Sequence, residues 1–407
     1  MHFRHILNAL GRHRIAVALL VLEIAFSCAV VCNALFLIGS RLERMQRPTG
    51  VDEAHVVEMF IGSVTPGSAE AVMAQTRTDI AALRAIPGVA NVAVVNQTLF
   101  GNSFSASGVS LSDEAKAPRI SVTQYMGDAN LADALGLKLA EGQWFKPDEF
   151  VTEEQLEAGR SGLPVIITKA LAEHLFPGES AVGKTIYAFG ANRVVGVLDR
   201  LVQPRDSGPT ESYGYAMLFP VTLPYTEGAY VIRVKDASQR DAVIQNVLRA
   251  LKASGPLRLI SPKYAFTLES QRAKYYRNDR AMAWMLVGVC VLLLVVTAVG
   301  IVGLTSFWVA QRRRQIGIRR AIGATRGDIL RYFQTENFLI ASLGIVLGMA
   351  LAYGLNRLLM AHYELARLPG YYLPVGALVL WVLGQLAVLG PALRAARVPP
   401  VVATRSA

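Results

Sequence analysis

Charged residues and cysteines are scarce in this sequence of 407 residues. Charged side chains make up 17% of the chain, whereas soluble domains carry about 25%, so part of the chain is expected to lie in lipid. The three cysteines, Cys28, Cys32 and Cys290, fall inside apolar runs. This excludes a disulfide framework or a cysteine-based zinc site in the hydrophilic part. The six histidines are scattered, and no nucleophile and base are recognisable as a pair. We therefore expect no catalytic residues, no metal site and no cofactor in this chain.

The basic residues are unevenly distributed along the chain. Thirteen arginines lie in residues 1–14, 311–336 and 394–407, where the only acids are Asp328 and Glu336. Removing these residues from the totals of 41 basic and 30 acidic residues leaves 28 of each elsewhere. The whole excess charge of +11 therefore flanks apolar runs. That pattern indicates a membrane protein that contacts lipid, because a nucleic-acid-binding protein would need a basic face on a folded domain.

Four apolar runs are long enough to cross a bilayer, since about 20 helical residues span the ~30 Å hydrocarbon core. The predicted transmembrane helices comprise residues 15–38, 281–310, 337–356 and 371–393. The first run is longer than the core of a signal peptide and lacks an A-x-A-like cleavage site after it, which favours an uncleaved anchor. The fold expected for this part of the chain is an α-helical membrane domain.

The arginines also predict the orientation of the four helices. Short Arg-rich loops stay in the cytoplasm. The N-terminal residues 1–14, the loop 311–336 and the tail 394–407 are therefore predicted to be cytoplasmic. The large region 39–280 and the short loop 357–370 are then extracytoplasmic.

Polar and small residues within the predicted spans allow two further expectations. Glu23 is an acid inside the first span, and an intramembrane acid is a functional candidate by default. The sequence shows no chain of further acids for a proton relay, so we expect Glu23 to snorkel or to hydrogen-bond a neighbouring helix. In the third span, Gly344-x-x-x-Gly348 predicts close packing of two helices.

The extracytoplasmic region is predicted to be an α+β domain in two parts. Its two β-α units, in residues 51–119 and 221–260, are expected to form one subdomain, and residues 120–220 an inserted subdomain. Residues 261–280 are polar and have helical spacing, and no Gly or Pro interrupts residues 263–287. They predict a stalk helix that is continuous with the second span.

Residues 178–185 match the pattern of a phosphate-binding loop, G-x-x-x-x-G-K-[ST]. Such a loop needs a buried strand before it and a helix after it. Here the order is reversed, because a helical pattern (170–176) precedes the match and a strand-like run (185–188) follows it. We therefore predict a turn before a strand, with Lys184 as a surface charge.

The loop between the second and third spans reads Q-R-R-R-Q-I-G-I-R-R-A-I-G-A-T-R-G-D-I-L. Ile316, Ile318 and Ile322 form an apolar edge on this very basic loop, which is typical of a docking surface. Thr325 and Asp328 have the spacing of a capping pair for a helix that enters the third span.

This loop closely resembles the corresponding loop of MacB/FtsX-like ABC-transporter permeases. The C-terminal run at residues 391–400 resembles the family's ending, and L-G-L-K-L-A-E-G at 135–142 and V-G-K-T-I at 182–186 resemble its external domain. The resemblance covers nearly the whole chain in order. Gln315 departs from it, because the family commonly has an acid at this position.

The resemblance implies a dimerising inner-membrane permease without a fused ATPase, which docks a separate cytoplasmic ABC ATPase. The docking residues that it implies, together with the apolar edge, are Ile316, Gly317, Ile318, Arg319, Arg320, Ile322, Gly323, Ala324, Thr325 and Asp328. It further implies that closing of the ATPase pair moves the stalks and reshapes the periplasmic domains. Efflux would then proceed through a periplasmic adaptor (membrane fusion) protein and an outer-membrane channel.

Two alternatives within the same resemblance remain open. One is an FtsX-like regulator of an external hydrolase, and the other is a permease for lipoprotein release. The large insertion in the external domain favours the efflux group. The second permease of the dimer is either another copy of this chain or a paralogue.

Overall fold

The computed structural model describes residues 14–64, 67–101, 103–114, 116–157, 162–206, 211–226, 228–255, 257–363 and 368–397. Most of the predicted cytoplasmic N-terminus, part of the loop 357–370 and the end of the tail lie outside these residues. The chain divides into two compact units. We call residues 14–46 and 278–397 the membrane unit and residues 47–277 the α+β unit.

The helices follow in chain order. They are α1 (Arg14–Gln46), α2 (Ala69–Arg84), α3 (Leu131–Leu135), α4 (Glu153–Glu157), α5 (Lys169–Leu175), α6 (Arg240–Ala253), α7 (Leu268–Tyr275), α8 (Arg277–Gln311), α9 (Arg313–Ala321), α10 (Arg326–Tyr363) and α11 (Tyr372–Ala396).

The strands are mostly short. They are β1 (Val56–Met59), β2 (Gly62–Ser63), β3 (Val89–Val95), β4 (Ala106–Val109), β5 (Ile120–Gly127), β6 (Leu139–Gly142), β7 (Val151–Thr152), β8 (Val165–Thr168), β9 (Thr185–Tyr187), β10 (Ala191–Leu198), β11 (Ala216–Thr222), β12 (Ala229–Val234), β13 (Arg258–Leu259) and β14 (Ala265–Thr267).

Four helices of the membrane unit, α1, α8, α10 and α11, are long and apolar enough to cross a bilayer. This confirms the four apolar spans that the sequence predicts. Each helix is longer than its predicted span. The reason is that helical hydrogen bonding continues into polar residues at the ends, whereas the predicted bounds mark only the limits of the apolar run.

Helix α10 packs closely on α1 at two glycines. A Cβ atom on Gly344 would lie 2.8 Å from Cβ of Ile24, and one on Gly348 would lie 2.5 Å from Cβ of Cys28. Any larger residue would therefore force the two helices apart. The prediction of close packing at Gly344-x-x-x-Gly348 is confirmed.

Hydrogen bonds between side chains and neighbouring helices add to this packing. The Ser27 hydroxyl on α1 lies 2.8 Å from the Thr297 hydroxyl on α8. The Asn33 amide donates to the Ala352 carbonyl on α10 at 3.3 Å. These two polar side chains are thus paired between helices, which is how membrane proteins compensate for the loss of water.

Glu23 differs from its neighbours in this respect. Its carboxylate faces α8 at Gly300, where an added Cβ atom would lie 2.7 Å from Oε2. Oε1 is shielded from solvent and accepts no hydrogen bond from the described residues. The predicted hydrogen bond to a neighbouring helix is therefore not found for this oxygen, because the nearest part of α8 is a glycine without a side chain.

The main sheet of the α+β unit has the strand order β14-β1-β12-β3-β5-β11-β8-β10-β6 among the described residues, and β2 pairs separately with β13. Strands from both ends of the unit pair directly, because β1 is antiparallel to β12 with Val57 opposite Ile232. Strands β5 and β11 are parallel, with Thr123 opposite Ala216. The antiparallel contact of β3 with β5, at Val95 and Gly127, joins the two ends to the middle region. The strands of residues 120–220 therefore extend the same sheet.

The prediction of one continuous helix through residues 263–287 is wrong. The segment instead contains β14, which pairs with β1 at the edge of the sheet. Helix α7 starts after Thr267, whose hydroxyl accepts from the Ser270 backbone at 3.2 Å. Tyr276, at φ −87° and ψ 13°, separates α7 from α8.

Packing of Tyr276 accounts for the end of α7. Its side chain is buried, with the ring centroid 5.8 Å from that of Phe100 and the hydroxyl 3.3 Å from Oδ2 of Asp206. These partners come from distant parts of the α+β unit. A period of 3.6 residues in the sequence does not reveal them, since it reports only which residues share a helix face.

A fully buried ion pair joins α2 to β13. Asp79 and Arg258 both have no exposed side-chain surface. Asp79 also accepts hydrogen bonds from the Tyr230 hydroxyl at 2.8 Å and from the Gln75 amide at 2.9 Å. The Arg258 guanidinium also donates to the Ser254 carbonyl at 2.8 Å. The network thereby links α2, β12, β13 and the residue that follows α6.

Glu58 on β1 is an acid in the interior of the same unit. It is 1% exposed, and Oε2 accepts no hydrogen bond within the ranges that the structure describes. Burial raises the pKa of Glu58 to about 8, because the charged form loses its hydration. At neutral pH this side chain is therefore mainly protonated.

We expect the stability of the α+β unit to fall as the pH rises from about 4.5 to 8, because only the folded chain keeps the Glu58 proton in this window. Each pH unit there lowers the free energy of unfolding by up to ~1.4 kcal/mol. Urea midpoints of the full chain in detergent, read by pulse proteolysis between pH 5 and 8, measure the slope. Glu58→Gln should flatten it and the exposed Glu154→Gln should not. An unchanged slope in Glu58→Gln would exclude Glu58 as its source.

Candidate docking surface

The loop between the second and third membrane helices folds mainly as α9. Ile316 is 5% exposed and belongs to the core of the membrane unit, together with Trp308, Ile329 and Phe333. Gly317 is also buried. The expectation that Ile316 contributes to an exposed apolar edge is therefore wrong, because this side chain anchors α9 to α8 and α10.

The other two isoleucines of the predicted edge face solvent. Ile318 is 46% exposed and Ile322 is 81% exposed. Ile322 is the last residue before a turn, in which Gly323 adopts φ 106°. A positive φ of this kind is readily adopted only by glycine. The turn is closed by the Ala324 backbone, which donates to the Arg319 carbonyl at 3.0 Å.

Thr325 and Asp328 form the predicted capping pair at the start of α10. The Thr325 backbone donates to Oδ2 of Asp328 at 2.9 Å, and the Asp328 backbone donates to Oγ1 of Thr325 at 3.2 Å. Two backbone N–H groups at the helix start are thereby satisfied. The prediction is confirmed, and the loop is held rigidly at the point where it enters the third membrane helix.

The two predicted docking arginines occupy different environments. Arg319 is exposed, and its guanidinium carbon lies 5.1 Å from the centre of the Tyr332 ring on α10. Arg320 is half-buried. Stacking on Tyr332 restricts the Arg319 side chain while leaving it accessible, so it is the better placed of the two to meet an acidic group on another protein.

Sequence reasoning missed a second anchor of this loop, the ion pair between Arg312 and Glu336. Nη1 of Arg312 lies 3.0 Å and 3.1 Å from the two carboxylate oxygens of Glu336, which is 1% exposed. Nη1 also lies 3.3 Å from the Tyr332 hydroxyl. The pair joins the residue after α8 to α10. The signal in the sequence was Glu336 itself, one of only two acids in the Arg-rich segments.

The ten predicted docking residues thus separate by exposure. Ile316 and Gly317 are buried, Arg320 and Ala324 are half-buried, and Ile318, Arg319, Ile322, Gly323, Thr325 and Asp328 are exposed. We use the term docking surface for the exposed side chains of Ile318, Arg319 and Ile322. Ile318 and Ile322 are four positions apart, the spacing at which side chains on a helix share a face.

The phosphate-loop pattern at residues 178–185 has the structure expected of a turn before a strand. Helix α5 precedes it and β9 follows it, and the Gly183 backbone donates to the Val194 carbonyl at 2.7 Å. The Lys184 ammonium pairs with Glu179 and lies 4.6 Å from the centre of the Phe176 ring. The backbone and the lysine are therefore engaged within the α+β unit, and the prediction of a turn is confirmed.

Two family models match the chain. The MacB-like periplasmic core domain matches residues 18–250, and the FtsX-like permease C-terminal domain matches residues 287–400. The match to the FtsX-like permease C-terminal domain includes the whole docking surface. The match to the MacB-like periplasmic core domain includes most of α1 and most of the α+β unit.

Curated relatives are similar over much of the chain. The macrolide export ATP-binding/permease protein MacB of Chromobacterium violaceum is 30% identical over 289 residues, which are 65% of this chain and 40% of that protein. The pyoverdine export ATP-binding/permease protein PvdT of Pseudomonas fluorescens is 26% identical over 419 residues, covering 98% of this chain and 58% of that protein. The ABC transporter permease YvrN of Bacillus subtilis, described as uncharacterized, is 25% identical over 303 residues, which are 70% of this chain and 71% of that protein. This chain therefore spans less than two thirds of the first two relatives.

Proposed function

Because this chain belongs to the MacB/FtsX-like ABC-transporter permeases, we propose that it is an inner-membrane permease subunit driven by a separate cytoplasmic ABC ATPase. ATP hydrolysis by that partner moves the α+β unit, which lies in the periplasm. The observation that carries the proposal is the docking surface, in which Ile318 and Ile322 are exposed on a strongly basic loop. Exposed apolar side chains within a charged surface are typical of a protein–protein contact.

The way the loop is anchored supports a mechanical role. Ile316 is buried among residues of α8 and α10, and the Arg312–Glu336 ion pair joins the same two helices. The capping pair of Thr325 and Asp328 fixes the start of α10. A displacement of the docking surface by a partner would therefore be transmitted to both helices, because each anchor resists local bending of the loop.

The orientation in the membrane is part of the proposal. The Arg-rich residues 1–14, 311–336 and 394–407 lie in the cytoplasm, because short basic loops are retained there. We expect reporter fusions at residues 150 and 407 to report the periplasm and the cytoplasm, respectively. Reporters of both kinds, one active on each side, are fused at each position for comparison. The same side for both positions would contradict the four-span orientation.

Export is the activity that the relatives' names support. Two of them are named as export proteins, one for macrolides and one for pyoverdine. By analogy, we propose that this permease exports a substrate from the periplasm through a periplasmic adaptor protein and an outer-membrane channel. It acts as a dimer with a second permease, either another copy or a paralogue.

The test is co-purification of the tagged chain with the products of neighbouring genes, expressed together in the native membrane. We expect recovery of an ABC ATPase and of an adaptor protein. Recovery of the ATPase with a cell-wall hydrolase would replace export by regulation of that enzyme, and recovery with a lipoprotein carrier would indicate lipoprotein release. Absence of any ATPase, while the second permease is recovered, would contradict the proposal.

A further inference from the structure

A cavity of about 350 Å³ lies at the carboxyl end of β5 in the α+β unit. Two acids line the cavity: Asp128, which follows this strand directly, and Asp133, which lies on α3. The lining of the cavity also includes three aromatic residues, Trp144, Phe145 and Phe150. The volume lies within the usual range of small-molecule sites, about 300–1,000 Å³.

The position of the cavity in the sheet suits a ligand site. Strand β5 is parallel to β11 on one side and antiparallel to β3 on the other. In mixed α/β sheets, ligands commonly bind beyond the carboxyl ends of parallel strands, where the connecting segments diverge. Here the segment between β6 and β7 supplies the aromatic residues and the segment after β5 supplies the acids.

The aromatic side of the cavity is partly open to solvent. Trp144 is 38% exposed, and the rings of Phe145 and Phe150 pack edge to face with their centroids 5.9 Å apart. Trp144 is the only one of the four tryptophans in the α+β unit. The face of an indole ring carries negative electrostatic potential and attracts cations more strongly than the other aromatic side chains do.

The two acids differ in their surroundings: Asp128 is half-buried, whereas Asp133 is exposed and its backbone carbonyl accepts a hydrogen bond from Arg233 at 3.2 Å. Burial raises the pKa of Asp128, although the bond from Asn130 and the charge of Arg84 act in the opposite direction. Oδ1 of Asp128 accepts from the Asn130 backbone at 2.9 Å, and Oδ2 of Asp133 accepts from the Asn91 amide at 2.6 Å. The described residues that line the cavity include no Lys or Arg. A cation bound in the cavity would therefore favour the charged form of Asp128, which burial disfavours.

We propose that this cavity binds an organic ammonium ion with an apolar or aromatic body, whose charged group lies between the Asp128 and Asp133 carboxylates and the face of Trp144. The apolar body then contacts Phe145 and Phe150. A metal ion is a poor alternative, because Trp144, Phe145 and Phe150 offer it no ligand oxygen. The site is separate from the docking surface, and its existence does not depend on an ATPase partner.

Isothermal titration calorimetry of the full-length chain in a neutral detergent tests this site with two probes of the same body and opposite charge. The probes are benzyltrimethylammonium and benzylsulfonate. We expect the cation to bind at least ~10-fold more tightly than the anion. Asp128→Asn, which keeps an oxygen for the Asn130 bond, and Trp144→Ala should each weaken binding of the cation by roughly 10-fold, in line with the strength of cation–aromatic and charge-assisted contacts.

Two further variants make the result specific. Trp144→Phe retains an aromatic face and should stay within about 3-fold of the wild type. Asp148→Asn removes an exposed acid from the same segment without lining the cavity, and it should bind like the wild type. Equal binding of the two probes, no binding of the cation to the wild type, or wild-type affinity in Asp128→Asn would each overturn the proposal. If Trp144→Ala fails to fold, Asp128→Asn and Trp144→Phe still decide it.

Discussion

Ile322→Asp should weaken the association of this permease with its ATPase by roughly 10–100-fold, since burying an isoleucine contributes about 1.5–3 kcal/mol and each 1.4 kcal/mol is a factor of ten. Ile322 is 81% exposed, so its replacement should leave the membrane unit folded. Ile318→Asp should have a similar but smaller effect, because part of that side chain already contacts the chain itself. Association is measured by pull-down over a series of ATPase concentrations, at matched expression of each variant.

Reversal of charge on the same surface should act in the same direction. Charge-assisted hydrogen bonds contribute about 1.5–3 kcal/mol each, so Arg319→Glu with Arg320→Glu should remove most of the association. The matched control is Arg313→Glu with Arg314→Glu, which reverses two charges on α9 outside the predicted docking residues. Leu257→Asp, at a 79% exposed position of the α+β unit, controls for the isoleucine variants. Unchanged recovery of the ATPase with both sets of docking variants would remove this surface as the contact.

Ile316→Asp separates docking from folding. This side chain is 5% exposed within the core of the membrane unit, and a carboxylate there would be buried without a partner. We therefore expect loss of folded protein in the membrane, rather than a normally inserted chain that fails to bind. The contrast with Ile322→Asp distinguishes the anchoring isoleucine from the contacting one.

The largest change in stability should come from breaking the buried pair of Asp79 and Arg258. Removing one partner of a buried ion pair costs about 3–5 kcal/mol, because the remaining charge is left in a low-dielectric interior. Asp79→Ala would also leave the Tyr230 hydroxyl and the Gln75 amide without their acceptor. We expect both Asp79→Ala and Arg258→Met to lower the urea midpoint of the α+β unit sharply, as read by pulse proteolysis of the full chain.

Two comparisons show whether the unpaired charge or the lost packing causes the expected loss of stability. Asp79→Leu combined with Arg258→Met removes both charges and should be much less destabilising than either single change. Arg240→Met breaks an ion pair with the exposed Glu269 and should cost no more than about 1 kcal/mol. If Asp79→Ala is no more damaging than Arg240→Met, the buried network does not hold these elements together.

The membrane architecture and the family could be predicted from the sequence. Apolar runs of about 20 residues can be recognised along the sequence, because the bilayer acts on each segment alone. The same holds for the capping pair of Thr325 and Asp328 and for Gly344-x-x-x-Gly348, since both depend on a spacing of three or four residues in a helix. The family could be recognised because its motifs occur in order along the chain.

Only the tertiary structure decided which side chains of these segments are buried within the chain and which remain exposed. The sequence places Ile316, Ile318 and Ile322 on one edge, but packing against Ile329 and Phe333 buries the first and leaves the other two exposed. Likewise, the polar run after residue 261 has helical spacing, yet pairing of β14 with β1 and burial of Tyr276 divide it. The Asp79–Arg258 pair and the cavity beside Asp128 also join residues that are far apart in the chain or lie on different elements. Such contacts depend on where distant segments meet, and local periodicity carries no information about that.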